Sequence, residues 1–172
     1  QAPTIDRHAV LAVRGDELWL VYENAEVQRY KIGATNTRRL VVCKVDGDRL
    51  LALPAYRESP IWTRGEAPAI AFDTAGRLHL CYLRPRARLG WEACLTCYDG
   101  NRWERPTAIF ADKGLDRKPG LVVAGSQAII AVQADDMAGG FKVAEKAAPA
   151  NKSNVLLGSV ALGDASQAAA LR

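Results

Sequence analysis

Apolar residues recur along the chain in runs of four to eight, rich in Val, Ile, Leu and aromatic side chains and broken by Gly or Asp-Gly. Short runs of this kind, bounded by turn residues, predict β-strands. In Arg77-Leu-His-Leu-Cys-Tyr82 strict alternation places Leu78, Leu80 and Tyr82 on one face, with His79 and Cys81 on the other. Asp73-Thr-Ala-Gly76 predicts a tight turn, and Asp99-Gly100-Asn101 a hairpin, because Gly and Asn accept φ > 0. Helical periodicity is weak up to residue 134. The Ala-rich segments Met137–Ala148 and Ala165–Leu171 are the two places where a helix is conceivable. By the chain's internal repeat, the second reads as strand and the first as a loop with a helical turn.

The strands repeat. One copy contains Pro3-Thr-Ile, Gly15-Asp-Glu-Leu-Trp-Leu-Val-Tyr22, Leu40-Val-Val-Cys-Lys-Val-Asp-Gly47 and Arg49-Leu-Leu-Ala-Leu-Pro54. The next contains Pro68-Ala-Ile-Ala-Phe-Asp73, Gly76-Arg-Leu-His-Leu-Cys-Tyr82, Ala93-Cys-Leu-Thr-Cys-Tyr-Asp-Gly100 and Arg102-Trp-Glu-Arg-Pro-Thr-Ala-Ile109. A degenerate third begins at Pro119-Gly-Leu-Val-Val-Ala124 and continues with Gln127-Ala-Ile-Ile-Ala-Val-Gln133 and Asn154–Ala161. Pro68 and Pro119 are 51 residues apart, and the two Asp-Gly pairs 53.

Four antiparallel strands repeating at about 50 residues are the sequence signature of a β-propeller blade. The expected fold is therefore all-β: a partial propeller of about three four-stranded antiparallel blades, a single segment over 1–172 with copies at approximately 2–66, 67–118 and 119–172. Such a sheet needs a neighbour on each face, and rings close with roughly four to eight blades. Three blades leave the ring open. Further blades from the same polypeptide or from another polypeptide would complete it; alternatively, the repeat is a coincidence within a sandwich.

Composition changes the picture only by exclusion. Of 172 residues, 49% are hydrophobic and 24% charged, enough to build a core. No apolar run approaches the ~20 residues of a membrane span. The net charge of +4 is too small to imply nucleic acid. Both ends, Gln1 and Arg172, allow the chain to be a piece of a longer polypeptide. Cys94 and Cys97 have C-x-x-C spacing, but three residues apart on a strand the thiols diverge, and Cys43 and Cys81 are too scattered to complete a zinc ribbon. All four read as small buried hydrophobes, with a cross-strand contact between Cys81 and Cys94 in reach. No P-loop, GxGxxG phrase or Ser-His-Asp order appears, and neither metal nor cofactor is expected. His79 reads as a hydrogen-bonded core histidine, and His8 shows no partner.

Function on a repeated scaffold sits in its loops. The connection between the second and third strands of copy two is Arg84-Pro-Arg-Ala-Arg-Leu-Gly-Trp91. Arg84, Arg86 and Arg88 followed by Trp91 would suit an anionic ligand with a stacking surface. The inter-blade connections add Glu58, Trp62, Arg64, Asp112, Asp116 and Arg117 to the same end. The alternative is a solvated basic rim with Trp62 and Trp91 packed between blades.

Residues 68–82, followed by Tyr98-Asp-Gly-Asn-Arg-Trp103, resemble blades of the sialidase-like (BNR-type) propellers, with their Pro, apolar strand, Asp-x-x-Gly turn and second strand often bearing His. The resemblance is at the level of single blades. The family's Asp-box is represented only by a remnant in Tyr98–Trp103. Arg117-Lys118-Pro119 is similar to the Arg-Ile-Pro phrase of the family's first carboxylate-binding arginine, with Lys in place of Ile. The other arginines and the Tyr–Glu pair find no counterparts. The resemblance implies a secreted or envelope-associated module that recognises an acidic or neutral glycan, whether or not it belongs to a larger enzyme. A propeller scaffold that binds protein partners through the same loops is the alternative.

Overall fold

The computed structural model describes residues 4–26, 38–53, 64–86, 90–110, 115–135, 153–162 and 168–169. These residues form three four-stranded antiparallel sheets, with no helix among them. The first sheet runs β1 (Thr4–Arg14), β2 (Glu17–Glu26), β3 (Arg39–Asp46), β4 (Arg49–Ala52). The second runs β5 (Glu66–Phe72), β6 (Leu78–Pro85), β7 (Trp91–Tyr98), β8 (Thr107–Ala108). The third runs β9 (Leu115–Ala124), β10 (Gln127–Asp135), β11 (Ser153–Ala161), β12 (Ala168–Ala169). In each sheet the strands neighbour one another in chain order. The first strand β5 of the middle sheet touches β1 on one side and β9 on the other. The architecture is a partial β-propeller of three blades, and the ring is open. The four strands β5 to β8 belong to one sheet, which sets the sandwich alternative aside.

Alternation along β6 explains why the sheets stack. Leu78, Leu80 and Tyr82 meet Trp19, Val21 and Leu40 of the first blade in one apolar cluster. Cys81 and Leu83 meet Ile130, Val132 and Val160 of the third blade in another. Both faces of the middle blade are thus removed from water, and every residue from Leu78 to Leu83 is buried. At about 2 kcal/mol for each large apolar side chain buried, stacking between blades holds the molecule together.

The two predicted turns form. In the first, the Gly76 amide donates to the Asp73 carbonyl at 3.0 Å with Gly76 at φ +77. In the second, Asp99 Oδ1 accepts the amides of Asn101 and Arg102, each at 2.8 Å. Arginines staple the blades at this end. Arg14 Nη1 donates to the Gly76 carbonyl at 2.7 Å, and Arg77 Nη2 to the Leu162 carbonyl at 2.5 Å. The Arg14 guanidinium also lies 5.5 Å from the Trp19 ring centre and 5.2 Å from that of Phe72.

Three sequence readings change. Pro3 does not correspond to Pro68: each inner strand carries a register shift, and pairing matches His8-Ala9 to Ala67-Pro68 and Lys118-Pro119. The third blade's inner strand starts at Leu115, ahead of Pro119. Cys81 faces Leu95 and Cys94 faces Tyr82 across the β6–β7 ladder, so the two thiols belong to different clusters. All four cysteines are free and buried. The strand reading near the C-terminus matches β12 at Ala168–Ala169, whereas Met137–Ala148 lies outside the described residues. No described helix is long and apolar enough to cross a membrane.

Candidate functional site

Each inner strand has a β-bulge at the same place, and each bulge holds one residue in the left-handed region: His8 at φ +50, Ala67 at +49, Lys118 at +46. Such values are uncommon for residues other than Gly. Three in equivalent positions are a designed repeat of the fold. Proline follows twice, at Pro68 and Pro119. It has no N–H to give a ladder and is tolerated at a bulge.

The bulges turn side chains into a cleft of about 570 Å³ between β1, β5 and β9. Its polar lining is His8, Glu66, Asp116, Arg117 and Lys118, with Trp91 as the aromatic wall. The polar groups come from all three inner strands.

Buried carboxylates set this geometry. Glu23, fully buried on β2, accepts from Arg7 Nε at 2.9 Å, His8 Nδ1 at 2.7 Å and the Ala67 amide at 2.6 Å. One side chain therefore ties two bulges of neighbouring blades. With Nδ1 committed to Glu23, the His8 ring is fixed, and its Nε2 has no partner among the described residues. Asp116, also fully buried, accepts the Ala93 amide at 2.7 Å and ties the third blade to the second. Glu66 pairs with Arg38.

The expected site residues divide. Trp91, Asp116 and Arg117 line the cleft together. Arg117 is exposed, with its Nε 2.7 Å from Asp135 Oδ2. Hydrogen bonds from Ser153, Gln133 and Arg117 outweigh partial burial and hold the Asp135 carboxyl below its usual range. Asp116 is no loop residue, as its place between blades suggests, but a strand residue bound to backbone. Arg84 and Arg86 converge on Glu92, at 2.6 Å and 3.5 Å, and neither lines the cleft. Arg64 is exposed beside Gly65, away from the cleft lining. Arg88 and Trp62 lie outside the described residues, as do Glu58 and Asp112.

Sequence reading misses His8, Glu66 and Lys118 as cleft residues and Glu23 as their organiser. The available signal is the repeated X-Pro at Ala67-Pro68 and Lys118-Pro119, each within a strand.

The fold has a counterpart among solved structures. A BT0996 RGII complex is similar over 92% of this chain, with a TM-score of 0.53 and 13% sequence identity. This chain spans 55% of the matched polypeptide. No family model matches the chain, and no curated protein matches its sequence. The sialidase-like resemblance therefore rests on its own residues.

A second cluster looks catalytic in composition but not in geometry. His79 Nε2 lies 3.0 Å from Asp73 Oδ2 and 3.9 Å from Cys97 Sγ. A relay needs acid and nucleophile on opposite ring nitrogens. Here both sit on one, while Nδ1 is buried with no partner among the described residues. Burial pushes the Cys97 thiol up to about 12, so no thiolate is available. His79 is the hydrogen-bonded core histidine that alternation implies. No group of His, Cys, Asp and Glu among the described residues could hold a metal ion.

Proposed function

We propose that this chain is the recognition segment of a carbohydrate-binding propeller, taking a glycan in the cleft between its inner strands. The observation that carries this reading is the convergence of His8, Glu66, Arg117 and Lys118 beside Trp91 at three equivalent bulges. Sugar hydroxyls need donors and acceptors fixed in place, together with an aromatic face. The cleft offers cationic donors, an imidazole nitrogen held by Glu23, and Trp91. Its volume of about 570 Å³ falls within the range of small-molecule sites. The similar fold was solved in an RGII glycan complex, which supports the same ligand class. The sialidase-like resemblance supports an acidic sugar for Arg117, whose guanidinium already accommodates one carboxylate.

Titration calorimetry with neutral and uronate-bearing oligosaccharides tests the reading. Lys118→Ala and His8→Ala should each weaken binding roughly tenfold, the size of one hydrogen bond to a charged group. Arg84→Ala should leave it unchanged, because Arg84 serves Glu92. Binding that survives the double variant His8→Ala/Lys118→Ala would remove the cleft from consideration.

A further inference from the structure

Nine large hydrophobic side chains are exposed among the described residues, and all belong to the first or third blade. The middle blade, covered on both faces, has none. Seven of the nine fall on two particular faces. On the first blade, Leu11 and Val13 are 60% and 64% exposed, and Leu50 joins them through the row Val13–Leu18–Val45–Leu50. The opposite face of that sheet, with Val10, Trp19 and Val21, packs on the middle blade. On the third blade, Val155 and Leu157 are 73% and 56% exposed, with Ile129 beside Val122 across the ladder. The opposite face, with Ala128, Ile130 and Val160, is the one that packs on the middle blade.

The two existing seams define what each face accepts. The His79–Cys81–Leu83 face of the middle blade receives the third, and its Leu78–Leu80–Tyr82 face receives the first. Strand pairing makes the Ile129 face of the third blade equivalent to the His79 face, and the Leu11 face of the first blade equivalent to the Leu80 face. Each uncovered face is thus one half of a blade-to-blade seam. The solved polypeptide of similar fold extends well beyond the matched part, since this chain spans 55% of it. We infer that both faces are covered by further four-stranded blades of the same polypeptide, which run from the third blade back to the first and close the ring.

The test uses the complete polypeptide encoded by the gene. It should contain additional four-stranded repeats and be monomeric by light scattering. The amides of Ile129–Ala131 should exchange with solvent as slowly as those of Leu78–Tyr82. Leu157→Lys should lower its melting temperature by about 5 °C or more, as expected for a disrupted apolar contact. Should that variant fail to fold, the exchange rates of the unaltered protein decide alone. A gene with no further blades, fast exchange at Ile129–Ala131, or a dimer in which a second copy protects both faces would each overturn the inference.

Discussion

Glu23 Oε1 accepts the Ala67 amide from the neighbouring blade at 2.6 Å while holding His8 Nδ1 at 2.7 Å. A backbone bulge and a cleft imidazole therefore depend on one buried carboxylate. Glu23→Ala would strand Arg7, whose Nη2 is already buried with no partner among the described residues. Removing one member of a buried ion pair costs about 3–5 kcal/mol at full burial. Arg7 is one-third exposed, so about 2–3 kcal/mol is expected. Glu23→Gln keeps an acceptor for Ala67 and should cost about 1 kcal/mol. Urea midpoints separate the two. If both variants melt like the parent, Glu23 does not organise the bulges.

Acid should weaken the seam between the middle and third blades through Asp73. Burial raises its carboxyl, but hydrogen bonds from His79, the Arg77 amide and the Arg77 guanidinium outweigh burial and hold it at about 2, against 3.8 in the open chain. A carboxyl depressed on folding adds stability that is complete above the unfolded value and disappears as pH falls from about 4 to about 2. The contribution is of order 1–2 kcal/mol. Stability measured against pH should therefore drop in this window, and Asp73→Asn should be less stable at pH 7 while lacking much of that drop. Parallel pH curves for parent and variant would contradict this assignment.

The parts of the fold governed by local chemistry are readable in the chain. Alternation in Leu78–Leu83 assigns each side chain its face, and Asp73–Gly76 and Asp99–Asn101 announce their turns because φ > 0 needs Gly or a side chain that caps itself. The bulges are not readable in the same way. A bulge changes register by one residue, and its evidence is distributed over two paired strands. The apparent match of Pro3 with Pro68 therefore misaligns the inner strand of the first blade. The candidate residues divide along the same line. Arg117 reaches the cleft beside the bulge of β9, and Trp91 reaches it from the start of β7. Arg84 and Arg86 stand out by charge alone, and sequence cannot show that Glu92, across the ladder, takes both. His8 has no visible partner in the sequence because Glu23 lies fifteen residues on and meets it only through the β1–β2 pairing.

The cysteines should be silent under native conditions. Burial pushes Cys94 and Cys97 up to about 12, and Cys81 higher still. Each is at most 4% exposed. Thiolate nucleophilicity and access are then both lacking. Ellman's reagent at pH 8 should label none of the four without denaturant and all four in guanidinium. Rapid native labelling of Cys97 would reopen the question of a reactive Cys–His pair.

At Gly158 the third blade closely approaches the second. A Cβ there would lie 3.0 Å from Ile109 Cγ2 and 3.1 Å from Phe110 Cε1. Those atoms belong to a buried cluster, so they have little room to retreat. Gly65 is its counterpart at the other seam, with a Cβ meeting Tyr82 Cδ2 at 3.0 Å and Leu40 Cδ1 at 3.1 Å. Neither glycine is kept for a left-handed φ, so crowding alone opposes a side chain. Gly158→Ala requires shifts of a few tenths of an ångström and should cost about 1 kcal/mol, offset in part by the lower chain entropy of Ala when unfolded. Gly158→Val adds two further methyls against Phe110 and should cost about 2–3 kcal/mol. Val is otherwise well suited to strands, so a loss growing from Ala to Val can only come from the seam. Gly120, whose Cβ would meet nothing within 4 Å among the described residues, supplies the control in this chain taken alone, where no further blade covers its face: Gly120→Ala should be neutral or stabilising there. Denaturation curves in which Gly158→Val is as stable as Gly120→Val would show that the blades are not packed as tightly as this contact requires.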